Sequence, residues 1–101
     1  MYLIQILLPC ADNSGVPFPI EEFERLKQGL ATEFDGVTAF LQAPAEGLWK
    51  RGSNNSHDDI VVFEVMTEKL DRALWADRRA ELEERFRQER VIIRHMSIGL
   101  I

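Results

Sequence analysis

His57, Asp58 and Asp59 stand together in a 101-residue chain that contains only two histidines. In an extended backbone, residues two apart share a face. His57 and Asp59 would then lie side by side, and a carboxylate beside an imidazole can orient it as a general base. The structural alternative is a polar strand entry, with Asp58 or Asp59 bonding turn amides. One histidine and two adjacent acids do not have the spacing of a metal site, so no metal is expected. A second set is dispersed along the chain: Gln5, Glu64 and Arg94. Arginine presents a planar fork that suits carboxylates and carbonyl oxygens, and a neighbouring glutamate can move protons. The same three residues read equally well as a structural Arg94–Glu64 pair, within one chain or between two.

Four further residues could carry function. Trp49 lies in the stretch FLQAPAEGLWKRGSNNSHDDIVVF, from Phe40 to Phe63, whose ends look like strands and whose middle holds Pro44, Gly47 and Gly52. That stretch reads as a long hairpin, with Trp49 anchoring a partner subunit or closing over a ligand. Cys10, the only cysteine, has no histidine near it in sequence, which argues against a catalytic thiol and excludes an internal disulfide. Trp75 and His95 read as packing residues.

These residues need elements to hold them. Tyr2–Leu8 is an apolar run closed by Pro9 and reads as a buried strand. Asp12-Asn13-Ser14-Gly15 is turn chemistry. Pro19 suits a first helical position, Glu21 and Glu22 suit the dipole, and Phe23, Leu26, Leu30 and Phe34 recur at helical steps until Gly36. Val37–Gln42 is a second strand; Pro44 cannot donate to a ladder, so this strand is expected at a sheet edge. Ile60–Met66 is a third and central strand. Thr67 is expected to cap a second helix carrying Leu70, Leu74, Leu82 and Phe86, with Glu68/Arg72, Glu81/Arg85 and Glu83/Arg87 as i,i+4 pairs. Val91–Ile98 closes the pattern.

The order βαββαβ predicts an α+β, ferredoxin-like domain over residues 1–101, with an antiparallel sheet ordered 4-1-3-2 and both helices on one face. Alternation puts Ile4, Ile6, Leu8, Val61, Phe63 and Val65 under the helices. On the other face it sets Arg94, Gln5 and Glu64 in a row, with Phe40 and Gln42 beyond, among Leu3, Leu7, Val62, Met66, Ile92, Met96 and Ile98. That face is too apolar to stand in water, and a second copy is its simplest cover.

The pattern resembles the dimeric α+β barrel superfamily, in which two ferredoxin-like sheets pack face to face. More narrowly, GVTAFLQAPAEGLWK, DDIVVFEVM and LWADRRAELEERFRQE resemble a small bacterial family of uncharacterised proteins, over roughly residues 2 to 96. The superfamily implies a range of activities: cofactor-free monooxygenases, lactone isomerases, haem-active enzymes and stress-response proteins. Trp75 resembles a helix tryptophan of haem-degrading members, but Gln5 replaces their first-strand asparagine and helix two has no histidine. No cofactor is therefore expected.

Composition narrows the classes. A net charge of −5 and 29% charged residues disfavour nucleic acid and anionic membranes as partners. The opening MYLIQILLPC lacks a basic region and is too short for a span, so a cytoplasmic protein is expected. The functional expectation is a homodimer acting without cofactor on a small carbonyl or aromatic compound. Gln5, Phe40, Gln42, Trp49 and Arg94 would bind it, and His57, Asp59 and Glu64 would do the chemistry. The alternative is a non-catalytic dimer that binds a metabolite or another protein.

Overall fold

The computed structural model describes the backbone of residues 1–51 and 54–101, and the side chains of 1–41 and 59–101. The elements run β1 (Tyr2–Pro9), α1 (Ile20–Glu33), β2 (Thr38–Arg51), β3 (Asn54–Thr67), α2 (Arg72–Arg85) and β4 (Ile92–Ser97). One antiparallel sheet has the order β2-β3-β1-β4, the expected 4-1-3-2 read from its other edge. The fold is the expected α+β, ferredoxin-like one.

Alternation along β1 and β3 builds the core. Ile4, Ile6, Leu8, Val61, Phe63 and Val65 are buried in one cluster with Phe23, Leu26 and Leu30 of α1 and Trp75 and Leu82 of α2. Phe86 stacks on Phe23 at 5.5 Å between centroids and meets Phe18 edge-on at 5.2 Å. At the other end of the helices, Phe34 stacks on Trp75 at 5.1 Å. Aromatic pairs thus tie the two helices to each other at both ends.

Local details depart from the sequence reading. Pro19 is the residue before α1 and not its first helical residue. Phe34 closes that helix; among the described glycines Gly15 alone has a left-handed φ, of 84°, so Gly36 is not a left-handed cap. Asp71, not Thr67, caps α2 by accepting a hydrogen bond from the Leu74 amide at 3.1 Å. The cause is the length of β3, which uses Thr67 as its last residue. The i,i+4 charges of α2 find partners elsewhere: Arg85 pairs with Glu22, Arg87 with Asp12, and Glu83 accepts the Val91 amide.

The hairpin is longer than expected. β2 and β3 pair as far as Arg51 with Asn54, and His57 pairs with Leu48 where Lys50 was anticipated. Pro44 does lie in an edge strand, and the register breaks there. Leu41, Gln42, Ala43 and Pro44 separate Phe40 from Ala45, while Val61 alone separates their partners Val62 and Ile60. No helix among the described residues is long and apolar enough to cross a membrane.

Candidate functional site

The open face of the sheet resolves into three rows. Phe40, Val62, Leu7 and Ile92 form one, Thr38, Glu64, Gln5 and Arg94 the next, and Met66, Leu3 and Met96 the third. The middle row is hydrogen-bonded. Arg94 donates from Nε to Gln5 Oε1 at 2.7 Å, and Gln5 donates from Nε2 to Glu64 Oε2 at 2.6 Å. Direct neighbours across an antiparallel pair stand close enough for such contacts. The sequence reading placed these three residues together. It misplaced the fourth member, because β2 enters the row with Thr38, and Phe40 sits one row away.

The two apolar rows are uncovered in the single chain. Phe40 is 47% exposed, Met66 54% and Met96 44%. Three large exposed side chains thus flank a charged strip, Phe40 on one side and Met66 and Met96 on the other.

Of the remaining expected residues, Asp59 does not join this row. Asp59 is exposed, and its backbone carbonyl accepts the Cys10 amide at 2.8 Å. It lies an odd number of residues from Glu64 on β3, so alternation puts the two on opposite faces of the sheet. Gln42, Trp49 and His57 lie outside the residues whose side chains are described. Cys10 has its thiol pushed up from its usual value by burial first and by the Asp59 charge second, so it is a weak source of thiolate. His95 is exposed on β4 and meets Tyr2 edge-on at 6.3 Å.

A cleft that sequence reasoning missed opens at one end of the sheet. About 740 Å³ in volume, it lies between the α1–β2 and β3–α2 connections. Its walls include Phe34 on its Trp75 support, and Leu3, Thr38, Glu64 and Met66 from the open face. Five carboxylates line it (Glu33, Asp35, Glu64, Glu68 and Asp71) against one ammonium, Lys69. Glu33 is paired with Arg78, Asp71 is used as a cap, and Glu64 accepts from Gln5. Asp35 and Glu68 are exposed. Thr67 also lines the cleft, and its Oγ1 is buried without a hydrogen-bond partner. An aromatic ring beside several carboxylates suits a flat organic cation. The signal in the sequence was weak, because the lining residues come from chain segments far apart. Among the described residues, no three metal-binding side chains come together.

Comparison with known proteins adds a fold relative. A phage SAM lyase in complex with S-methyl-5'-thioadenosine superposes with a TM-score of 0.68, at 16% identity, over 98% of this chain and 82% of that one. At that identity the likeness is one of fold. No family model and no curated protein sequence matches the chain.

Proposed function

We propose that this chain forms a homodimer through its open sheet face and acts, without a resident cofactor, on a small organic molecule held in the end cleft. The observation that carries the reading is the cleft itself. Its volume of about 740 Å³ falls in the range of small-molecule pockets, and Phe34 and the carboxylates give it a definite chemical preference. The preferred ligand has a flat ring and a positive centre. The ring is the aromatic compound expected from sequence; the positive centre comes from the charge of the walls. Glu64 stands where the polar row meets the cleft and adds its charge to the walls. The fold relative supports an enzymatic reading, and S-adenosylmethionine joins a sulfonium cation to an adenine ring.

The test is calorimetric titration with S-adenosylmethionine and with the neutral S-methyl-5'-thioadenosine. Saturable binding is expected for both, with the sulfonium about tenfold tighter, the worth of one partly desolvated cation–aromatic contact. Glu68→Gln and Asp35→Asn should each narrow that gap. Incubation with the sulfonium followed by chromatography of the products would detect turnover. Failure of both compounds to bind at millimolar concentration sinks the cleft reading. The non-catalytic reading draws on the exposure of Phe40, Met66 and Met96; it stands if the dimer forms and neither ligand binds.

A further inference from the structure

The pattern of the open face specifies how a second copy would sit on it. We infer that the dimer axis runs parallel to β1, directly over Gln5, so that Arg94 of each copy meets Glu64 of the other. This rests on the homodimer reading above and adds to it an orientation.

Two sheets packed face to face by a two-fold axis need that axis in the plane between them. Neighbouring strands lie about 4.8 Å apart and packed sheets about 10 Å apart. An axis along β1 exchanges the strands on either side of it, β3 and β4. It sets Val62 against Ile92, Met66 against Met96 and Glu64 against Arg94, while Leu3, Gln5 and Leu7 meet their own copies. Apolar rows then meet apolar rows, and acid meets base. An axis turned to run along the polar row sets Arg94 against Arg94 and Glu64 against Glu64 instead. Like charges opposed in a closed interface are strongly disfavoured.

The hydrogen bonds already present agree with this choice. Arg94 uses Nε on Gln5, leaving its terminal nitrogens without a partner among the described residues. Glu64 uses Oε2 on Gln5, leaving Oε1 likewise. Each row thus ends in an unused donor fork on one side and an unused acceptor on the other. Two rows related by this axis close into one ring: Arg94, Gln5, Glu64, then the same three of the second copy. That ring satisfies the charges that burial would otherwise strand. The edge strand β2 has no opposite number under this axis, so it projects beyond the partner's β4.

The test is charge reversal read by native mass spectrometry and sedimentation, with circular dichroism confirming the fold of each variant. Arg94→Glu and Glu64→Arg should each weaken the dimer by about a hundredfold or more. The double reversal should restore it to within about tenfold of the parent, because the Gln5 amide can turn over and serve a reversed row. A dimer that ignores the single reversals, or a double variant no better than the worse single, overturns the orientation and leaves the homodimer standing. A parent chain that is monomeric at high concentration overturns both. If the reversed chains fail to fold, cross-linking decides. In a Cys10→Ser background, Gln5→Cys should couple to its own copy through a maleimide reagent of about 10 Å reach, the sheet-to-sheet spacing. Thr38→Cys, two strands from the axis, should not. The opposite outcome excludes this axis.

Discussion

Phe86 should be the side chain whose truncation costs the most. It is 1% exposed, stacks on Phe23, meets Phe18 edge-on and carries Arg85 over its ring at 5.6 Å. Phe-to-Ala changes in cores cost about 3–5 kcal/mol through lost transfer energy and the cavity left behind. Each aromatic pair adds about 0.5–1.5 kcal/mol beyond area burial, and a partly exposed cation–π contact about 0.5–1. Two pairs and one cation place Phe86→Ala at the upper end, about 4–5 kcal/mol. A domain of this size has about 5–15 kcal/mol in all, so the variant should be close to unfolding at 37 °C. The assay is urea unfolding at fixed protein concentration, since association would make the midpoint depend on concentration. Phe86→Leu should lose clearly less, because it leaves a smaller void. A loss below about 1.5 kcal/mol for Phe86→Ala would mean that the cluster relaxes freely. The aromatic anchoring of the helical layer would then be wrong.

Two further outcomes follow from the β1–α1 turn. The Asp12 carboxylate accepts the Val16 and Ser14 amides at 3.0 and 2.9 Å, and these amides, with Arg87 nearby, hold its pKa below the ordinary 3.8. A lowered carboxyl pKa stabilises the fold above the ordinary value and loses that contribution as pH falls through the lowered one. Asp12→Asn should therefore be less stable than the parent near neutrality, and the gap should close at strongly acid pH; a gap independent of pH refutes this. Cys10, with its thiol raised, should alkylate with iodoacetamide more slowly than glutathione at pH 7.5 and catch up only in strong alkali. Equal rates at pH 7.5 would contradict the burial assigned to it.

The fold was legible because period-two and period-3.6 patterns are local and strong here. Ile4, Ile6 and Leu8 against Gln5, and Phe23, Leu26 and Leu30, each point to one face. The edge position of β2 followed from Pro44 and, independently, from the βαββαβ order. The row of Gln5, Glu64 and Arg94 was also legible, since strand order and parity together place residues up to 89 positions apart. Thr38 was missed because a two-residue shift of register keeps the same face but changes which side chain joins a row. The Asp71 cap was missed because β3 runs on through Thr67, and the partners of Arg85 and Arg87 for another reason. A charged side chain can bond anything within reach, and tertiary neighbours outcompete the residue one turn away. The end cleft left no linear trace, because it is the meeting place of two connections.

The register break at Pro44 bears on how far the molecule can associate. An unpaired strand edge is a template to which further strands can add without limit. In this sheet β2 is interrupted by extra residues and by a proline with no amide hydrogen to offer, and β4, at six residues, is short and carries Arg94 and His95. Neither rim is a regular template. In the dimer proposed above the flat face mates with its own copy, and such a surface is used up in a single event. Growth by edges has no natural end; growth by faces stops at two.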